Sequence, residues 1–262
     1  IKQIFKTKFG KAIQADANEY MTKRMDDNSV DLIVTSPPYA LQHPKSYGNE
    51  KQENYLDWFC SFADNFMRIL KPKGSLVIDI GGSWIKGYPI RSLYHLELPI
   101  RLHNDHGFHL AQEFLWENTN KLPGPAQWVT IKRVRVKDSV NFIWWMSKSK
   151  NPAADNKKIL KPYSNSQMKL FEVGYNHEKR PSDHVISDKF GNKNKGAIPP
   201  NVVRDYENQD TSNHFKMGNS IESKYNKYCR EKGYKIHPAK FPPFLPEFFI
   251  KMTTKKGGLV FD

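Results

Sequence analysis

The stretch from Val30 to Tyr39 constrains the fold more than any other part of this sequence. It consists of the mostly aliphatic run VDLIVT, residues 30–35, followed by SPPY, residues 36–39. A short run with so few polar residues predicts a strand that is buried on both faces, as in a parallel sheet. The two prolines lack a backbone N–H, so pairing ends there, and each holds the preceding residue extended. The sequence therefore predicts a stiff turn at a strand's carboxyl end, where ligands bind in open α/β sheets.

The surrounding segments alternate between helix and strand patterns. Apolar residues recur at helical spacing over 53–70, and the basic, Pro- and Gly-containing stretch 71–74 ends this helix before the aliphatic strand 75–80. Two more strands are predicted at 111–116 and 140–146, antiparallel at a sheet edge, with a helix before them ending near Gly107 and kinked or begun by Pro99. A short strand is expected at 10–16, a helix at 18–25, and a proline-initiated helix at 246–252 before a terminal strand. The order predicts an α/β fold with right-handed βαβ connections.

Positive charge is concentrated in one part of the chain. The 262 residues carry a net charge of +14, and residues 121–235 alone hold 23 Lys and Arg against 11 Asp and Glu. Such a distribution favours a polyanionic partner, most simply nucleic acid. The competing interpretation is a solvated basic surface without a partner.

Several classes of protein are disfavoured by what the sequence lacks. No apolar run approaches the roughly 20 residues of a membrane-spanning helix, and no signal peptide opens the chain. Cys60 and Cys229 form no CxxC motif, which favours a reducing, cytoplasmic setting without disulfides. No zinc-protease, P-loop or nucleophile-elbow motif is present, and no metal site is expected.

Several motifs, in one order along the whole chain, resemble a known family. They are TSPPYALQ at 35–42, YGN at 47–49, DWF at 57–59, KLP at 121–123, RVKD at 135–138, IPPN at 198–201 and HPAKFP at 237–242. This series resembles the β group of DNA amino-methyltransferases, and within it the PvuII-type cytosine-N4-specific enzymes. These transfer a methyl group from S-adenosyl-L-methionine to an exocyclic base nitrogen. The resemblance implies a Rossmann-like, S-adenosylmethionine-dependent methyltransferase fold in the permuted β-group order, with an inserted target-recognition region.

The resemblance also implies three parts of the chain. Residues 1–149 are expected to form the catalytic part, residues 150–235 the DNA-binding target-recognition region, and residues 236–262 the start of the cofactor-binding part. Asp262 corresponds to the first acid of the cofactor strand, and the glycine-rich loop that follows in the family lies beyond it. We therefore expect a truncated cofactor site, and an inactive DNA-binding fragment is one of the alternatives.

The expected catalytic residues are Ser36, Pro37, Pro38 and Tyr39. An exocyclic amine is a poor nucleophile, because its lone pair is delocalised into the ring, so it must be oriented and hydrogen-bonded as positive charge develops on it. The Ser36 hydroxyl and the Pro37 carbonyl offer acceptors that the prolines hold still, and Tyr39 offers a face on which the base stacks. The base has to be flipped out of the duplex first.

Other site residues follow from the family motifs. Trp116 and Asn118 correspond to the target-base pocket, although core packing is an alternative for Trp116. The expected cofactor-binding residues are Asp16, Thr35, His237, Pro238, Lys240, Phe241 and Asp262. For Asp16 a helix N-cap is an alternative, and both roles are compatible. The expected DNA-binding residues are Lys121, Arg133, Arg135, Arg180, Lys193, Lys195, Asn201 and Arg204, mostly as phosphate contacts.

The function implied is site-specific methylation of cytosine N4 in double-stranded DNA within a bacterial or archaeal restriction–modification system. A cognate restriction endonuclease would be linked functionally without being bound, and the enzyme is expected to be a monomer, with a dimer as the alternative. Ser at position 36 resembles the cytosine enzymes, whereas Asp or Asn is usual where adenine N6 is methylated. Adenine-N6 methylation and RNA methylation remain the competing activities.

Overall fold

The computed structural model describes residues 1–40, 48–118, 121–174, 192–203, 224–236 and 242–262. Two compact units are present: residues 1–153 with 201–262, and residues 154–200. The residues of HPAKF, 237–241, and positions 180 and 204 lie outside the described part of the chain. The predictions for His237, Pro238, Lys240, Phe241, Arg180 and Arg204 therefore stay predictions.

The first unit contains a mixed six-stranded sheet in the order β10-β3-β4-β8-β7-β9. Its strands are β3 (Val30–Thr35), β4 (Leu70–Ile80), β7 (His109–Glu117), β8 (Val140–Ser147), β9 (Val202–Val203) and β10 (Val260–Phe261). β3 runs parallel to both β4 and β10, and β8 runs antiparallel to both β4 and β7. The predicted antiparallel pair 111–116 and 140–146 is thus confirmed, although β9 adds a parallel strand outside it.

The helices of this unit are α1 (Ala17–Arg24), α2 (Gln52–Cys60), α3 (Ala63–Ile69), α4 (Tyr94–His106), α6 (Lys224–Glu231) and α7 (Phe244–Thr253). Two small antiparallel pairs also occur, β1 (Lys2–Lys6) with β2 (Lys11–Gln14) and β5 (Ser83–Trp84) with β6 (Arg91–Ser92). A π-helix spans Gln127–Ile131.

Some predicted boundaries are wrong. The single helix over 53–70 is two helices, α2 and α3, separated by a turn at Ser61 and Phe62, where the Ser61 hydroxyl donates to the Trp58 carbonyl at 2.6 Å. Strand β4 already begins at Leu70 and includes the stretch expected to end the helix, with a register irregularity against β3. Pro99 lies inside α4 and does not begin it, and α7 begins at Phe244, ahead of Pro246.

The hydrophobic core lies between the sheet and helices α2–α4. The aromatic stripe predicted over 53–70 is core: Tyr55 and Phe59 of α2 and Phe66 of α3 are buried in one cluster with β3 and β4 residues such as Ile33 and Ile78. Burial of a side chain of this size stabilises a fold by about 1.5–3 kcal/mol. The motif that follows β3 is thereby fixed to a rigid layer.

The unit formed by residues 154–200 is small. It contains a 3₁₀ turn at Asn156–Lys158 and helix α5 (Asn165–Val173), and an isolated bridge joins Lys161 to Ala197. Tyr163 packs edge-on against Phe171 and its hydroxyl accepts from the Asn194 N–H at 2.9 Å. This unit lies within the range expected for target recognition, whereas Val202–Val203 of that range form β9 of the sheet.

Candidate active site

The SPPY turn leaves the sheet at the edge where three parallel strands end. Because β3 pairs in parallel with β4 on one side and with β10 on the other, Thr35, Ile80 and Phe261 reach the same edge. Pro37 is buried, and Ser36 and Tyr39 are half-buried. The predicted turn at a strand's carboxyl end is confirmed, and its side chains point to a partner that sequence reasoning did not single out.

That partner is Asp79, which is buried near the end of β4 with 1% of its surface exposed. The hydroxyls of Ser36 and Tyr39 both donate to its Oδ2, at 3.1 Å and 3.0 Å. The Asn141 amide on β8 donates to Asp79 Oδ1 at 3.2 Å and to the Tyr39 hydroxyl at 2.8 Å. We call these four residues the Asp79 network.

Burial raises the pKa of Asp79 to about 6, although the hydrogen bonds from Tyr39, Ser36 and Asn141, and then the charge of Lys121, act in the opposite direction. Burial also raises the pKa of the Tyr39 hydroxyl well above its ordinary value, and the Asp79 charge adds to this. Near neutral pH the network therefore holds one carboxylate and neutral hydroxyls, and that carboxylate takes up a proton more readily than an exposed one.

Neighbouring groups fix the Tyr39 ring in place. A Cβ at Gly81 would lie 2.6 Å and 2.7 Å from two ring carbons of Tyr39, so only glycine fits there. The Tyr94 hydroxyl donates to the Gly81 carbonyl and accepts from the Ala40 N–H. The Gln52 amide nitrogen lies 3.1 Å from the Ala40 carbonyl oxygen and 2.9 Å from Ser83 Oγ. The turn after β3 and the turn after β4 are thus joined.

A cationic cluster lies beside the Asp79 network. Arg91 donates to both oxygens of Asp138, at 2.7 Å and 3.1 Å, and Lys121 donates to the Val140 carbonyl at 2.7 Å. Burial lowers the pKa of the Lys121 amine, which the charges of Asp138 and Asp79 oppose. Arg135 lies 3.9 Å from Asp138. Lys121 and Arg135 therefore face the protein, an orientation that favours a role in shaping the site over the expected phosphate contacts.

Trp116 and Asn118 lie next to this cluster. Trp116 is buried and pairs in strand register with Asn141, and the Asn118 N–H donates to the Ser139 carbonyl at 2.7 Å. Trp116 therefore has the burial of a core residue while it lies one strand from the network. Its assignment to the base pocket stays a prediction.

The residues expected to hold the cofactor lie at the ends of β10 and β3 and before α1. The Thr35 hydroxyl donates to the Asp262 carboxyl, which is exposed at the end of β10. Phe261 stacks on Tyr20 of α1, with ring centroids 6.3 Å apart and an interplanar angle of 6°. Asp16 caps α1 by accepting from the Glu19 N–H at 2.9 Å, so its N-cap role is confirmed, while its cofactor role stays a prediction.

The remaining expected DNA-binding residues are dispersed. Lys193 and Lys195 are exposed in the 154–200 unit, and Arg133 is exposed with a φ of 55°. Asn201 is tied to β7, where its side chain donates to the Glu113 carbonyl at 3.1 Å. Among the described residues, no cluster of three or more metal-binding side chains occurs, and no helix of theirs is long and apolar enough to cross a membrane.

Sequence reasoning missed Asp79 and Asn141. A signal for Asp79 was available, since it is the one charged residue within SLVIDI, residues 75–80, and an acid inside a buried strand requires a partner. Asn141 gave no comparable signal, because a polar residue at the start of a strand is ordinary.

Comparison with known proteins gives consistent matches. Residues 30–262 match the N6_N4_Mtase family, described as DNA methylase. The Type II methyltransferase M.PvuII of Proteus hauseri is 43% identical over 264 aligned residues, which cover all of this chain and 75% of that protein. The Type II methyltransferase M.BamHI of Bacillus amyloliquefaciens is 37% identical over 81 residues, 30% of this chain and 19% of that protein. Among solved structures, the cytosine-N4-specific PvuII DNA methyltransferase superposes with a TM-score of 0.67 at 38% identity, over 94% of this chain and 71% of that one. These matches confirm the predicted α/β methyltransferase fold.

Proposed function

The chain belongs to the N6/N4 DNA methylase family and is a DNA methyltransferase, and from this premise we propose that it methylates cytosine N4 in duplex DNA. The methyl donor is S-adenosyl-L-methionine, as in the family that the motifs resemble. The setting is a bacterial or archaeal restriction–modification system, in line with the Type II methyltransferases to which the chain is similar. The observation that carries the proposal is the buried Asp79 network behind the SPPY turn.

The Asp79 network suits an amine nucleophile. The Ser36 hydroxyl donates its hydrogen bond to Asp79, so its oxygen can accept a hydrogen bond from the N4 amino group of cytosine. Acceptors aimed at the nitrogen stabilise the positive charge that develops there in the transition state. The bound donor supplies an electrophilic methyl group on a sulfonium sulfur, and the bond from nitrogen to carbon forms as the carbon–sulfur bond breaks, with its electron pair moving to sulfur.

Proton removal from the methylated nitrogen completes the reaction. We propose that the N4 proton passes to Ser36 Oγ while the Ser36 proton passes to Asp79 Oδ2, 3.1 Å away. The reaction then leaves N4-methylcytosine and a neutral Asp79 carboxyl. A buried acid with a pKa of about 6 is suited to this transient protonation near neutral pH. A neutral hydroxyl backed by a carboxylate thus performs at position 36 what a carboxylate or amide does in adenine enzymes.

The residues at the neighbouring strand ends fit part of the methyl donor. Asp262 and Thr35 offer polar groups at the carboxyl ends of β10 and β3, and Phe261 on Tyr20 forms an apolar wall beside them. Asp16 lies at the start of the helix that carries Tyr20. We propose that these residues contribute to the cofactor site, with the methionine part held by the HPAKF stretch.

The DNA-binding parts are proposals of the same kind. Residues 1–149 would supply the catalytic groups, residues 236–262 the first part of the cofactor site, and residues 150–235 the recognition of the target sequence. Within the last range, the exposed Lys193 and Lys195 would neutralise phosphates of the duplex. Target access requires the cytosine to leave the stack, which costs a few kcal/mol.

The methylated base can be identified directly. Duplex DNA incubated with the enzyme and S-adenosylmethionine is digested to nucleosides and analysed by mass spectrometry. We expect N4-methyldeoxycytidine. Recovery of N6-methyldeoxyadenosine would show the adenine activity instead, and methylation of RNA but not of duplex DNA would show the third candidate activity. Calorimetric titration with S-adenosylmethionine is run in parallel. If no methylation is found, binding of the donor indicates an enzyme that was given the wrong substrate, and absence of binding indicates an inactive fragment.

The pH dependence of the reaction tests the role of Asp79. Only ionised Asp79 accepts a proton, so we expect single-turnover rates to fall as pH drops through about 6. Asn141→Leu removes a donor to the carboxylate, so the pKa of Asp79 should rise and the acidic limb should move to higher pH. The groups that face Asp79 are Ser36, Tyr39, Tyr94, Lys121 and Asn141.

A histidine could imitate this acidic limb. Burial lowers the pKa of His95, the buried histidine near the cluster, to about 4, so it stays neutral across the range tested. The residual activity of Asp79→Asn provides the control, because it should lack the limb near pH 6. An unchanged limb in that variant would assign the titration to another group.

A further inference from the structure

The segment from residue 121 to 138 combines exposed aliphatic side chains with positive charge. Leu122, Ile131, Val134 and Val136 have 85%, 74%, 61% and 86% of their surfaces exposed. Between them lie the exposed Lys132 and Arg133. Of the five Lys and Arg in the segment, Lys132, Arg133 and Lys137 are exposed, whereas Lys121 and Arg135 face the protein. Four exposed aliphatic side chains within 18 residues make this segment a candidate for a surface that contacts a partner.

This segment is held in a defined conformation. Trp128 is buried within it, and its backbone carbonyl accepts from the N–H groups of Val134 and Arg135 at 2.9 Å and 3.2 Å. The Lys132 amine lies over the Trp128 ring, 4.7 Å from its centroid. The aliphatic side chains are thus presented by a folded scaffold built around one tryptophan.

Both ends of the segment are attached beside the Asp79 network. The Asn118 N–H donates to the Ser139 carbonyl at 2.7 Å, and Lys121 donates to Val140 at 2.7 Å, one residue before Asn141. Near the far end, Asp138 is bound by Arg91. This 18-residue segment therefore connects β7 to β8, and both of its ends lie beside the catalytic groups.

We propose that segment 121–138 is the wedge that enters the duplex at the target base pair, an inference that rests on the proposed function. When cytosine leaves the stack it opens an apolar gap between the neighbouring base pairs. Aliphatic side chains that fill such a gap recover part of the unstacking energy, as apolar wedges do in other DNA-distorting proteins. Lys132 and Arg133 are placed to hold the flanking phosphates. The location of the wedge next to the catalytic residues brings the extruded base to Asp79.

The test separates base extrusion from ordinary binding. Ile131→Ser and Val136→Ser are compared with Ile100→Ser, a control on α4 whose side chain is 57% exposed and lies outside both the wedge and the target-recognition range. Single-turnover methylation is measured on a duplex with a paired target cytosine and on one in which that cytosine is mismatched. A mismatched base costs less to flip. We expect the wedge variants to methylate the paired target at least tenfold more slowly, and the mismatched target within about threefold of the unsubstituted protein.

A second readout follows the base itself. With 2-aminopurine at the target position, the unsubstituted protein and Ile100→Ser should raise its fluorescence, and the wedge variants should raise it less. Equal losses on paired and mismatched duplexes, or no loss on either, would overturn the wedge. Failure of the unsubstituted protein to methylate any DNA would instead overturn the proposed function. Thermal unfolding of each variant verifies that these surface changes leave the fold intact.

Discussion

Asp79→Asn is expected to lower the rate of methyl transfer by about 10²–10⁴-fold, the range for loss of a positioned general base. Asparagine keeps the shape of the side chain but cannot accept the proton that leaves the amino group. Ser36 would also lose the charged acceptor that orients its hydroxyl, 3.1 Å away. DNA affinity should change little, because Asp79 is buried. Single-turnover kinetics with saturating DNA and donor, alongside a DNA-binding titration, measure the two quantities separately.

Two comparisons make this result specific. Ser36→Ala should lower the rate by about 10²-fold, and the double variant should be no slower than Asp79→Asn alone, because the two residues act in one path. Asp64→Asn, whose side chain is 92% exposed, provides the control for loss of an acid and should leave the rate unchanged. If the double variant were slower by the product of the two single-variant factors, that result would contradict a shared proton path.

Asp79→Asn should keep or raise the thermal stability of the protein while it lowers its activity. The folded-state pKa of Asp79 is raised from 3.8 to about 6, so its contribution to stability is greatest below pH 4 and is lost as pH rises through about 6. Ionised Asp79 at pH 8 therefore costs the folded protein about 3 kcal/mol. Asparagine carries no such cost, and Asp79→Asn should unfold at pH 8 at the same or a higher temperature than the unsubstituted protein. The conflict between stability and activity is characteristic of functional sites.

Gly81→Ala is the second change with a large expected effect. Its Cβ would meet two carbons of the Tyr39 ring at 2.6 Å and 2.7 Å. The Tyr39 hydroxyl is bound to Asp79 and Asn141, and the Gly81 carbonyl accepts from Tyr94, so neither side can move freely. We expect a loss of about 1–3 kcal/mol in the free energy of unfolding, typical of overpacking. We also expect a fall of about 10²-fold in turnover, since a displacement of 1 Å at a site has that effect.

The cause of that loss can be isolated with a double-mutant cycle. In a Tyr39→Ala background the clash is absent, so Gly81→Ala should cost little further stability there. Gly10→Ala, where the nearest atom lies 4.0 Å from the added Cβ, is the matched control and should leave the free energy of unfolding and turnover unchanged. Additive losses across the cycle would mean that Gly81 acts through its backbone alone and not through Tyr39.

Local patterns in the sequence predicted much of the fold. Mostly apolar runs identified β3, β4 and β8, and the aromatic spacing over 53–70 identified the core face of α2 and α3. The turn at Ser61 and Phe62 that divides α2 from α3 escaped prediction, because the apolar helical spacing continues through it. The early start of β4 depended on pairing with β3, a contact between residues about forty positions apart. Such contacts leave no local periodicity for a pattern to report.

The sequence by itself determined the position of the SPPY turn, because two prolines after an aliphatic strand exclude further pairing whatever surrounds them. It also determined the family, since motif order is a property of the chain alone. Only the tertiary structure decided what the turn contacts. Asp79 is 43 positions from Ser36 and Asn141 is 102 positions from Tyr39, and these groups meet because β3, β4 and β8 lie side by side in the sheet. The energy of a buried carboxylate depends on the groups around it, and only folding fixes those groups in space.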